Sequence, residues 1–173
     1  MSRQETLDLL LEDKAFFDLS EGEETPRYAY VSSEIMEVVD GPPFEDTPEG
    51  EWYGRFRLWL DLFVDGARLW VSQDPRGKPS ETQLARVEDV EDEFWSIRVT
   101  EPNDRAGIRA LGGFHALDEF IAVTWAMRRD IGADFNDAVA EAQERWKVLF
   151  GQQDVPHRGD SLHEYLTNFQ EVF

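Results

Sequence analysis

The sequence contains no cysteine in 173 residues, which excludes disulfides, thiol catalysis and thiolate metal ligation together. Positive charge is scarce: 17 Lys+Arg stand against 37 Asp+Glu, a formal net charge of -20 at pH 7. A balance of that size repels nucleic-acid phosphates unless a local basic patch overrides it. No apolar run approaches the 18 or so residues that cross a bilayer. The first residues, MSRQETLDLLLEDKAFFDLSEGEE, lack the basic start and unbroken apolar stretch of a secretory signal. Neither GxGxxG nor GxxxxGK[ST] occurs, and HExxH is missing too. The three histidines, His115, His157 and His163, show no ligand spacing. The acidic run Glu88, Asp89, Val90, Glu91, Asp92, Glu93 lacks the glycine-containing alternation of a calcium loop. These absences predict a cytoplasmic protein with no membrane span, no metal and no cofactor.

What is present argues for a packed core. Hydrophobic residues make up 41% and aromatics 13%, with six Trp and twelve Phe, a composition that disordered acidic chains do not have. The length predicts a single domain over residues 1–173, with a helical N-terminal extension and proline-rich loop over 1–50 and a core over 51–173. Charge is unevenly spread. Residues 1–66 carry 5 basic and 17 acidic side chains, 67–85 carry 3 and 2, 86–129 carry 6 and 9, and 130–173 carry 3 and 9. Only 67–85 is positive.

Ser2 and Glu5 have the spacing of a capping box, and Leu7, Leu10, Leu11 and Phe17 form an apolar stripe, predicting a helix over 3–19. RYAYVSS (27–33) reads as a strand or the entry to a short helix, and DGPPFEDTPEG (40–50) as a loop. Trp52, Phe56, Trp59, Leu60 and Phe63 recur at helical spacing, predicting a helix over 51–65 that ends at Gly66. Strand-like stretches follow at 67–73, 81–88, 93–100, 107–115 and 118–128, the last two joined as a hairpin, with Gly112 and Gly113 marking a bulge or close approach. Phe135, Val139, Ala142, Trp146 and Leu149 predict a helix over 135–150, capped by Asp134 and stopped by Gly151. A last helix is expected over 160–172. Grouped strands between helices predict an α+β fold: a small antiparallel sheet of about three to five strands within 67–128, flanked by N- and C-terminal helices. The expected core includes Trp59, Phe63, Trp95, Ile97, Phe120, Ile121, Val123, Val139, Ala142 and Trp146.

The residues that point to chemistry are arginines. Arg98 lies in one expected strand, Arg109 in the next, and Arg128 and Arg129 end a third. On adjacent antiparallel strands these guanidiniums converge, and their fixed donor geometry suits phosphate. The alternative is that each pairs with one of the abundant acids.

The stretch FWSIRVTEPNDRAGIRALGGFHALDEFIAVTWAMRRDIG resembles the core of RelE/HigB-type toxins, including their phage-derived branch. Trp95, Ile97 and Arg98 match one element of that family, Arg109 and Phe114 a second, and Phe120 to Val123 with Arg128 and Arg129 a third. The resemblance covers about residues 93–150 and implies a small antiparallel sheet with flanking helices. In active members it implies metal-independent, ribosome-dependent mRNA cleavage, with Arg98, Arg109 and Arg128 or Arg129 holding the phosphate. The charge of -20 opposes docking on ribosomal RNA. The expected function is therefore a binding or interaction protein without robust catalysis, with a protein partner or a second copy of itself. The alternatives are a divergent RelE-like endonuclease and an acidic mimic of DNA.

Overall fold

Ser2 and Glu5 close their capping box. Ser2 Oγ accepts from the Glu5 backbone N–H at 3.2 Å, and Glu5 Oε2 accepts from Ser2 N at 2.6 Å. In the computed structural model, which describes residues 1–41, 46–100, 105–133 and 135–173, they start helix α1 (Arg3–Glu12). The helix ends sooner than its apolar stripe predicts. Lys14 takes a left-handed φ of 58°, and the chain leaves as strand β1 (Phe16–Asp18). RYAYVSS serves as both strand and helix entry: β2 (Tyr28–Ser32) runs into α2 (Ser33–Val39), with the Ser32 hydroxyl capping Ile35. The expected loop over 40–50 is helical from Pro48 in α3 (Pro48–Val64), and its residues 42–45 lie outside the described part. The reason is local. Proline at the first helical position loses no hydrogen bond and already has a helical φ, and Thr47 Oγ1 accepts from Gly50 N–H at 3.1 Å. At the other end Gly66, at φ 77°, closes a Schellman motif: Ala67 N–H donates to Leu62 O and Gly66 N–H to Phe63 O.

Strands β3 (Leu69–Ser72), β4 (Leu84–Arg86), β5 (Phe94–Val99), β6 (Ile108–Ala116) and β7 (Glu119–Met127) follow in the expected places. Helix α4 (Asn136–Phe150) ends at Gly151 as predicted; Asp134, its expected cap, lies outside the described residues. The helix expected over 160–172 does not form. A single tight turn at Leu162–Glu164 and strand β8 (Phe169–Glu171) replace it. That turn alone suffices to bury Leu162, Tyr165 and Leu166, and Asn168, at φ 54°, redirects the chain into the strand.

The sheet corrects the expected architecture. It has eight strands in the order β1-β2-β7-β6-β5-β4-β3-β8, and it is mixed: β2–β7, β3–β4 and β3–β8 run parallel. The strands that had no place in a small antiparallel sheet over 67–128 are β1, β2 and β8. Two of them have three residues, too few to show a period of two. Their positions are set by pairings remote in sequence, Tyr28 with Glu119 and Leu69 with Phe169.

Helices cover both faces. One core unites α2, α3 and the 162–166 turn with inward residues such as Trp95, Ile97 and Val99 of β5. The other unites α1 and α4 with Phe94, Leu111, Ile121 and Val123. All ten residues expected in the core are buried. A register shift beside Gly112 shows why a side chain is not tolerated there. A Cβ would stand 1.8 Å from the Ile121 carbonyl oxygen. Gly112→Ala is therefore expected to destabilise by at least about 1–3 kcal/mol, the scale of overpacking, measured as a fall in the urea midpoint.

Candidate anion-binding pocket

Strand alternation places Ser96 and Arg98 on the α4 side of β5, because Phe94 packs into that core. Register does the rest. Arg98 is the direct antiparallel partner of Arg109, and Arg109 pairs onward with Ala126 in β7. Both residues are buried, at 6% and 3% exposure. Like charges placed directly opposite one another weaken a sheet unless partners offset them.

Backbone carbonyls hold the pair in place. Arg98 Nη1 donates to Pro79 O at 3.2 Å and Thr82 O at 3.1 Å. Arg109 Nη1 donates to Val99 O at 3.0 Å, Ala106 O at 3.2 Å and Ile108 O at 3.1 Å. Arg128, just past the end of β7, donates to Ile131 O at 2.9 Å and lies 6.0 Å from the Phe135 ring centre. Arg98, Arg109 and Arg128 line one pocket of about 440 Å3, to which the 75–78 turn adds Arg76 and Lys78. Among the described residues the lining carries these five cations and one carboxylate, Glu88, which is ion-paired with Arg76. The fourth expected arginine is elsewhere: Arg129 pairs with Glu49 at 2.5 Å and lies over Trp52.

Lys78 registers the local field. Its Nζ donates to Pro75 O at 2.5 Å. Burial pushes its amine below the ordinary lysine value of 10.5, and Arg98, Arg109 and Arg128 push it further, against a smaller opposing pull from Asp74. The sign for stability follows. Below 10.5 the unfolded chain holds this proton more firmly than the folded protein, so the Lys78 contribution falls as pH drops through the folded-state value. The expected result is that 13C-dimethylated Lys78, followed by NMR, titrates below 10.5. Titration at or above 10.5 would contradict the account of the pocket's field.

Lys78 and Arg76 were not singled out from sequence, since they fall between the strand-like stretches 67–73 and 81–88. The signal available was the charge balance, since both lie in the one positive segment, 67–85. Elsewhere, polar groups tie elements together. Glu93, 3% exposed, accepts from Arg86 at 2.6 Å and from the Tyr165 hydroxyl at 2.5 Å, with Arg158 at 3.4 Å. That cluster joins β4 and β5 to the C-terminal segment. His115 Nε2 meets Gln4 Oε1 at 2.8 Å, and His157 Nε2 meets Glu164 O at 2.9 Å. Among the described residues no group of three or more His, Asp and Glu is placed to hold a metal ion, and no helix is long and apolar enough to cross a membrane.

No protein-family model matches the chain, and no curated protein or solved structure is significantly similar to it.

Proposed function

We propose that the protein is a cytoplasmic, non-catalytic binding protein that captures an anionic group in the pocket between β5, β6, the end of β7 and the 75–78 turn. One observation carries this reading: two buried arginines are direct cross-strand partners, and share their pocket with Lys78 and Arg128, in a chain of net charge -20. Among the described lining residues an anion would meet Lys78 and Arg128 beside that pair. Bond-breaking chemistry needs more than charge stabilisation; it needs a positioned base or nucleophile. Among the described lining residues Glu88 is engaged by Arg76, and the buried Ser96 hydroxyl donates to Ile97 O at 3.3 Å. This favours binding over the RelE-like nuclease reading. A partner protein enters only as the carrier of an anionic group.

Two measurements test it. At constant ionic strength, replacing chloride with sulfate, phosphate or pyrophosphate is expected to raise Tm, as any ligand of the folded state does. The rise is expected to disappear in the Lys78→Gln, Arg128→Gln double variant. Induced expression in a bacterial host is expected to leave growth unchanged. Growth arrest by the wild type but not by the double variant would instead establish the nuclease.

A further inference from the structure

We infer that a second pocket, between α3 and the 68–70 and 81–83 stretches, binds a short apolar peptide with free ends, its carboxylate on Arg68 and its ammonium on Glu81. Helix α3 leaves Leu58 and Leu62, one turn apart, on the side away from the core that Phe56, Leu60 and Phe63 fill. Trp70 lies between buried Leu69 and Val71 in β3, so strand alternation turns it away from their face. Leu58, Leu62 and Trp70 are 54%, 39% and 44% exposed, and all three line one pocket of about 420 Å3. Exposed apolar residues scattered singly need no explanation. Three gathered in a concavity of ligand size mark a binding site.

Charge specifies the ends. Arg68 and Glu81 line this pocket with opposite signs, yet among the described residues neither forms an ion pair, with the other or with any third group. Their partners are neutral: Arg68 donates to Gln170 Oε1 at 2.6 Å, and Glu81 accepts from the Ser80 hydroxyl at 3.5 Å. The other cations of the wall are engaged. Arg55 pairs with Glu51 at 2.8 Å, and Arg98 donates to Pro79 O and Thr82 O. A guanidinium fork matches a carboxylate, and a carboxylate attracts an ammonium. A ligand with one charge of each sign answers both side chains, whereas an amphiphile with a single charge leaves one of them against its apolar body. Capture of chain ends is a recurring mode of peptide recognition.

The test is calorimetric titration of the full chain with the dipeptide Leu-Leu as the probe. N-acetylated Leu-Leu, Leu-Leu amide, Gly-Gly and free leucine are the comparators. Leu-Leu is expected to bind saturably, and blocking either end to weaken it about fivefold, the upper end for an exposed ion pair. Arg68→Gln is expected to abolish the difference between Leu-Leu and its amide while keeping that between Leu-Leu and its acetylated form. Glu81→Gln is expected to do the reverse. Both residues are exposed, so both variants are expected to keep the wild-type melting curve, and Arg68→Lys to restore part of the preference for the free carboxylate. Trp70→Ala is expected to weaken Leu-Leu about tenfold through lost apolar contact. Blocked peptides binding as tightly as Leu-Leu would overturn the assignment of the ends. Gly-Gly or leucine binding as tightly would overturn the apolar peptide. No saturable binding of Leu-Leu would overturn the site.

Discussion

Arg27→Met is expected to cost about 3–5 kcal/mol of folding stability, the scale of breaking a buried charge network from one side. Arg27 has no exposed surface. Its guanidinium donates to Phe63 O at 3.3 Å, Ala67 O at 2.8 Å, Thr167 O at 2.5 Å and Asn168 O at 3.0 Å. It also stands 3.5 Å from Asp118 and over the Phe63 ring. Phe63 O belongs to the last turn of α3, where the helix dipole is negative and a cation is favoured, and Ala67 O lies just beyond its capping turn. The other two belong to the turn leading into β8. One side chain thus ties the end of α3 to the C-terminal strand, and Asp118 reinforces the tie by accepting from Thr167 N–H at 2.8 Å. Methionine fills much of the volume but donates to none of the four oxygens. Chemical denaturation measures the loss, and Arg27→Lys is expected to recover only part of it because one ammonium cannot span both segments. A loss below about 1 kcal/mol, the median of an exposed ion pair, would show that the tie contributes little.

The second large effect is expected at Trp146, where truncation to Ala should cost about 3–5 kcal/mol. The indole is 1% exposed, edge-on to Phe94 with centroids 5.7 Å apart and tilted against Phe150 at 4.8 Å. Its Nε1 donates to Asp154 at 2.8 Å. The same carboxylate oxygen accepts from Arg3 Nε at 2.9 Å, and the Arg3 guanidinium lies 5.6 Å from the indole ring centre. The indole thus fastens α1 to α4 as well as filling the core. Trp146→Phe keeps apolar bulk and loses the donor, so its smaller expected cost separates packing from the hydrogen bond. An unchanged melting curve for Trp146→Ala would remove α4 from the core.

Helix α4, the β6–β7 hairpin and the strand positions of Arg98 and Arg109 were legible because each rests on a period or turn carried by neighbouring residues. Trp146 sits on an unbroken stripe from Val139, and Leu117 and Asp118 make the two-residue hairpin connection, Asp118 at φ 60°. What was illegible is long-range. Phe16–Asp18 becomes a strand only by pairing with β2, and Phe169–Glu171 only through β3, a partner far away in sequence. The parallel seam of β2 against β7 leaves no local trace, so the sheet was expected small and antiparallel. Within the site, the pattern brought three arginines together but did not separate Arg128 from Arg129. Adjacent residues point in different directions where β7 ends, and the choice depends on Glu49, a residue 80 positions away that claims Arg129. Lys78 was missed for the same reason, since a turn residue is placed by what packs beneath it.

In the function proposed above, one anion meets Lys78, Arg98, Arg109 and Arg128 in a chain of net charge -20. The most direct test is an NMR titration with inorganic phosphate at constant ionic strength, following the arginine Nε–Hε signals and the Lys78 methyl signals of the 13C-dimethylated protein. Saturable shifts are expected at Lys78, Arg98, Arg109 and Arg128, with Arg27, Arg86 and Arg129 unmoved. Shifts that do not saturate, or that fall on surface arginines such as Arg55 and Arg145 while the pocket signals stay fixed, would contradict it.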